Sequence, residues 1–126
     1  MKIKGICFLA VILFLVSSCE YDKYPPDKPV EVIANVKFSS DVLPIFNSSC
    51  NMAGCHSSNG QSPDLTTDLA YISITQGGLV DTVTVTNSVL YARLIDRQSP
   101  MPPSGQLSQN DINIIYSWIK EGAPNN

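Results

Sequence analysis

Histidine is nearly absent from this chain of 126 residues: His56 is the single one. A zinc site wants four ligands when structural, or three plus water when catalytic, so that scarcity weighs against zinc. Charge is also thin, at 15% of residues, with no long run of either sign. The formal net charge of −3 gives no basic surface for nucleic acid. Long apolar runs are missing as well. The most apolar stretch, Ile6 to Val16, is too short to be read as a membrane span.

What precedes and follows that stretch is informative. Lys2 and Lys4 followed by the apolar run make the basic-then-apolar order of a secretory signal. Leu15-Val16-Ser17-Ser18-Cys19 resembles a bacterial lipobox, in which a cysteine behind small residues is acylated and becomes the new first residue. The expected organisation is a signal peptide over 1–18, an extended tether over 19–36 after lipidated Cys19, and one folded domain over 37–126. Loss of 1–18 takes both lysines with it, leaving six basic residues against eleven acidic ones, a formal charge of −5. Attachment to a membrane would then rest on acyl chains, at about 0.8 kcal/mol per buried methylene. The expected location is the cell envelope, facing the periplasm or the cell surface. Tyr24-Pro25-Pro26 and Pro29 without helical periodicity are the basis for the tether.

Four cysteines are present. Cys7 leaves with the signal and Cys19 takes lipid, so Cys50 and Cys55 remain, in the order Cys50-Asn51-Met52-Ala53-Gly54-Cys55-His56. Two thiols with an imidazole directly behind the second can tether a haem by its vinyl groups and ligate its iron. The spacing here is C-x4-C-H rather than the usual C-x-x-C-H. Because the vinyl positions are fixed on the ring, the two extra residues must bulge away, and Gly54 supplies backbone freedom for that. A small disulfide between Cys50 and Cys55 is the alternative that leaves His56 without a role.

Around this motif the patterning is helical. Val42, Ile45, Phe46 and Ser49 fall on one face, with Ser39 as the expected N-cap and Pro44 in the first turn, where a missing amide costs no intrahelical bond. Residues 57–63 are small and polar and read as a loop. A short helix capped near Thr67 is expected next, ended by Gly77-Gly78. Residues 79–86 alternate β-branched side chains and suggest a short extended strand. A third helix starts from Asn87 or Ser88 and stops at Gln98-Ser99-Pro100. Ser108-Gln109-Asn110-Asp111 is a capping box with Asp at its fourth position. It opens a last helix with Ile112, Ile115, Tyr116 and Ile119 on one face, terminated by Gly122 and Pro124. Trp118 flanks that stripe, either as core or against a bound ring.

Met101-Pro102-Pro103-Ser104-Gly105 puts a thioether in a stiff loop. Iron with histidine on one side can take such a sulfur on the other, which raises its reduction potential. Met1 leaves with the signal and Met52 sits between the cysteines, so Met101 is the methionine candidate; a haem with two histidine ligands from this chain is excluded by the single histidine.

Taken together, Phe-Ser-x-Asp-Val-x-Pro-Ile-Phe from Phe38, the Cys50…Cys55-His56 motif, Met-Pro-Pro-x-Gly-x-Leu-Ser from Met101 and Trp-Ile-x-x-Gly-Ala from Trp118 resemble monohaem class I c-type cytochromes. The likeness is to the domains carried by lipoproteins of Bacteroidota-like bacteria, and it covers roughly residues 37–124. It implies an all-α cytochrome c fold of about four helices around one covalent haem c. Cys50 and Cys55 would be the thioether attachments, His56 the proximal ligand and Met101 the distal one. It also implies an electron carrier cycling Fe(II)/Fe(III) between a redox donor protein and an acceptor, and no enzymatic activity. Two other readings stand beside it. If Met101 is not bound, the open iron suits a peroxidase-like or gas-binding protein; without haem, the chain is a disulfide-stapled surface lipoprotein.

Overall fold

The computed structural model describes residues 28–126. The signal peptide, Cys19 and the first part of the expected tether lie outside the described residues. Among the described residues there are four α-helices: α1 (Leu43–Ser49), α2 (Ala70–Thr75), α3 (Val89–Ile95) and α4 (Gln109–Lys120). Among the described residues there is no strand and no helix long and apolar enough to cross a membrane. The all-α expectation therefore stands at the level of class.

A π-helical turn, Phe38–Val42, leads directly into α1. Val42, Ile45 and Phe46 are buried, as their helical spacing requires, and Pro44 sits in the first turn of α1. Ser39 is not the cap. Lys37 flanks the helical run, and the free amides are met from elsewhere: Lys37 N–H donates to the Asp41 carboxylate (2.7 Å), Phe38 N–H to Asn126 Oδ1 (2.8 Å) and Ser39 N–H to the Asn126 carbonyl (2.9 Å). A tertiary contact thus does what a local serine was expected to do.

The second helix also starts later than its pattern suggests. Asp64 accepts from both the amide (2.9 Å) and the hydroxyl (2.6 Å) of Thr66, a turn that delays α2 until Ala70, and Thr67 is left exposed. At its far end Gly78 is left-handed (φ +69°), which lets Leu79 N–H reach back to the Ile74 carbonyl (3.0 Å).

Residues 79–86 do not form the expected strand. The Asp81 carboxylate accepts from Val83 N–H (2.9 Å) and Thr84 N–H (2.8 Å), folding the segment into a turn followed by a 3-10 turn, Val85–Asn87. β-branched alternation needs a neighbouring strand to pair with, and none is described; Val83 is 93% exposed. Ser88 precedes α3 as expected, but its hydroxyl accepts from Asp81 N–H (2.8 Å) and donates to the Asp81 carbonyl (3.2 Å) instead of capping the helix.

Helix α4 follows its pattern closely. Ser108 Oγ accepts from Asp111 N–H (3.2 Å) and donates to the Asp111 carboxylate (2.7 Å). Ile112, Ile115 and Ile119 are buried and Tyr116 packs edge-on to Tyr91 at 5.2 Å. Trp118 belongs to the core. It is fully buried, lies 5.3 Å from the Phe38 ring and 6.4 Å from that of Tyr71, and donates from Nε1 to the Pro124 carbonyl (2.9 Å).

The folded unit also reaches further toward the N-terminus than a boundary near Lys37. Ile33 N–H donates to Ser117 Oγ (2.8 Å), Asn35 N–H and Val36 N–H both donate to the Glu121 carboxylate (2.7 and 3.0 Å), and Val36 is buried. Residues 33–36 are thus strapped to the C-terminal end of α4, at Ser117 and at its capping residue Glu121.

Candidate functional site

The loop that follows α1 is held in shape by backbone bonds. Cys50 N–H and Asn51 N–H both donate to the Phe46 carbonyl (2.9 Å each), which hands the last turn of α1 to the first cysteine. Cys55 N–H donates to the Met52 carbonyl (2.9 Å) and His56 N–H to the Cys50 carbonyl (3.2 Å), so the four residues between the cysteines curl into a closed loop. Gly54 is left-handed there (φ +80°), a conformation that glycine adopts without strain. The Asn51 side chain braces the loop by donating to Asn47 Oδ1 (2.7 Å) and to the Leu65 carbonyl (3.2 Å).

Beyond the histidine the chain returns over the same loop. Gln61 N–H donates to the Cys55 carbonyl and Leu65 N–H to the His56 carbonyl, both at 2.8 Å. Gly60 makes this return possible, because a Cβ there would collide with the Cys55 carbonyl oxygen. His56 Nδ1 lies 3.2 Å from the Gln61 carbonyl and 3.1 Å from the Pro63 carbonyl. Carbonyl oxygens only accept, so Nδ1 carries the proton and a neutral ring keeps its lone pair on Nε2. This is the backbone support that metal-ligating histidines commonly have. The polar loop composition of 57–63 shows in the sequence, but the two carbonyl partners do not.

The Met101 loop is built separately. Asp96 accepts from Gln98 N–H (2.8 Å) and Ser99 N–H (3.0 Å), turning the chain as α3 ends. Met101 N–H then donates to the Arg93 carbonyl (2.9 Å) and Gln106 Nε2 to the Leu94 carbonyl (3.2 Å). These two bonds satisfy carbonyls left open at the end of α3 and pin the loop on both sides of the prolines. Gly105 N–H donates to the Pro102 carbonyl (3.2 Å), closing the turn between them.

The two loops face one cavity of about 410 Å³, within the range of ligand clefts. Cys50, Cys55, His56 and Met101 all line it, together with Met52, Gln61, Pro102 and Pro103. The four candidate residues of the domain are therefore brought together, while Trp118 is not among the lining residues. Among the described residues that line it, none is an acid, a lysine or an arginine. Cys50 and Cys55 are free thiols. Burial, with Cys55 nearby adding to it, pushes the Cys50 thiol up to about 11, so it stays protonated at neutral pH. Among the described residues no three His, Cys, Asp or Glu side chains come together as a metal cluster.

Fold and site together define a small all-α domain with a sulfur-rich, uncharged cavity served by one imidazole of fixed tautomer. No family model matches the chain, and no curated protein or solved structure matches it.

Proposed function

We propose that this chain is an electron carrier of the c-type cytochrome kind, holding one covalent haem c in the cavity between the Cys50–His56 loop and the Met101 loop. The observation that carries the reading is that Met101, from the loop after α3, lines the same cavity as Cys50, Cys55 and His56. The donor set fits the group: two thiols for the thioether bonds, an imidazole with its lone pair on Nε2, and a thioether as the second axial ligand. When bound, haem supplies a one-electron Fe(II)/Fe(III) couple.

The chain's own contribution is to hold these donors still. Gln61 and Pro63 fix the proton on His56 Nδ1, while the bonds to the Arg93 and Leu94 carbonyls hold the Met101 loop. Prolines on its C-terminal side further limit how far the thioether can move. A site with both axial positions filled from the chain has no place for a substrate, hence a carrier and not an enzyme. Its partners are a donor and an acceptor redox protein, and Cys19 anchors it by lipid in the cell envelope.

The test is production of the full chain in a bacterium competent for c-type haem attachment, followed by denaturing electrophoresis with haem staining and mass spectrometry. One haem per chain is expected, weakened or abolished by Cys50→Ser or Cys55→Ser, with acyl mass on Cys19 and release from membranes by Cys19→Ala. Full haem staining in both cysteine variants refutes the attachment. A high-spin ferric spectrum favours the open-iron reading, and a haem-free chain with a Cys50–Cys55 disulfide favours the stapled lipoprotein.

A further inference from the structure

Met52 is the one sulfur of the cavity without a part in the reading above. It is 48% exposed, yet lines the same cavity as the two cysteines that flank it. The loop that carries all three sulfurs is closed by its own backbone, His56 N–H on the Cys50 carbonyl and Cys55 N–H on that of Met52. Both thiols are free, and both cysteines line the cavity with Met52. Among the described residues no carboxylate lines the cavity, so a hard cation finds no anionic oxygen from them there. A closed zinc site is no better served, since it wants four nitrogen or thiolate ligands and the described lining offers at most three, Cys50, Cys55 and His56 Nε2. Thiolate and thioether donors together select a soft monovalent ion.

We infer that the haem-free form of this chain binds one Cu(I) at the mouth of the cavity, through the sulfurs of Cys50, Cys55 and Met52. Binding releases the two thiol protons to solvent and moves no electron, leaving a bis-thiolate complex with one thioether neighbour. The site goes beyond electron transfer and excludes it. Once both sulfurs are thioethers the anionic donors are gone, so copper and covalent haem compete for the same two atoms. A chain loaded with Cu(I) is thereby protected from haem attachment until the ion is withdrawn.

The experiment uses the full chain prepared without haem, with Cys7→Ser and Cys19→Ser so that the only thiols are those of the cavity. Cu(I) is supplied in oxygen-free buffer as its coloured bathocuproine disulfonate complex, and loss of colour reports transfer. One ion per chain is expected. Cys50→Ser and Cys55→Ser should each weaken binding by roughly 100-fold or more, and Met52→Leu by roughly 10-fold, on the scale set by loss of supporting metal contacts. Met101→Leu should bind as the parent does. Circular dichroism of each variant separates ligand loss from misfolding, and X-ray absorption should find only sulfur around copper. No transfer from the chelator, transfer unchanged in the Cys50→Ser/Cys55→Ser double variant, or Met52→Leu binding as tightly as the parent overturns the site. Because haem takes no part in the titration, its outcome is independent of whether haem attaches.

Discussion

Gly60→Ala should damage the site without touching any of its sulfur or nitrogen atoms. A Cβ at Gly60 would collide with the Cys55 carbonyl oxygen, and would lie 2.9 Å from the Ser57 carbonyl oxygen and 3.2 Å from the Cys55 carbonyl carbon. All three are backbone atoms, so no rotamer change can relieve the contact. The loop must open instead, and the bonds at risk are Gly60 N–H to the Ser57 carbonyl and Gln61 N–H to that of Cys55, both 2.8 Å. Overpacking of this sort costs about 1–3 kcal/mol. Loss of one partly exposed backbone bond adds about 0.5–1.5 kcal/mol. A destabilisation of about 2–4 kcal/mol by urea unfolding is therefore expected. Movement of Gln61 also removes one of the two acceptors of His56 Nδ1, so haem staining should fall in the same variant. Gly54→Asn is the control: nothing lies within 4 Å of a Cβ there, and asparagine tolerates a left-handed φ of +80°, so the cost should stay below about 1 kcal/mol. A Gly60→Ala chain as stable as the parent, or less perturbed than Gly54→Asn, would refute the close-approach argument.

Met101→Ala should keep haem on the chain under denaturing conditions but lose the low-spin absorption signature of methionine coordination, with a fall in reduction potential measured by redox titration; identical low-spin spectra would reduce Met101 to packing. Glu121→Ala removes the acceptor of both Asn35 N–H and Val36 N–H, and because one of these bonds is exposed the loss should be modest, about 1–2 kcal/mol, with proteolysis newly directed to residues 28–36. Hydrogen bonds from the Thr84 and then the Val83 amide hold the Asp81 carboxyl below its ordinary value of 3.8. Its contribution to stability is thus present above the unfolded-state pKa and lost as pH falls through the lower folded one, so the parent should lose stability below about pH 4 by a step that Asp81→Asn lacks in acid-dependent urea melts.

Several features of the fold are local enough to be legible in the residues alone. The capping box at Ser108 and the isoleucine stripe of α4 specify a helix by contacts within a few positions, and they appear where expected. The same holds for the apolar face of α1 and for Gly54, whose left-handed backbone follows from the need to curl four residues between two cysteines. The C-x4-C-H order and the Met-Pro-Pro loop are likewise local, and so are candidates for one chemistry from the sequence alone.

Where the reading failed, the presence or the want of a distant partner decided the outcome. Residues 79–86 have the alternation of a strand, but a strand is a pairing, and with no neighbouring strand among the described residues the Asp81 turn prevails. Ser39 has the chemistry of a cap, but Asn126 meets the amides it would have left open. The tether ends before residue 33 because Ser117 on α4 and Glu121 just after it accept from amides more than eighty positions away. Most consequential is the site itself. Residue types and spacing determined which sulfurs and which imidazole were available; only the tertiary structure placed Met101 on the cavity of Cys50, Cys55 and His56 and turned the Gln61 and Pro63 carbonyls onto Nδ1. Those placements depend on how loops dock on α1 and α3, which is set by bonds between residues far apart in the chain and leaves no periodic trace along it.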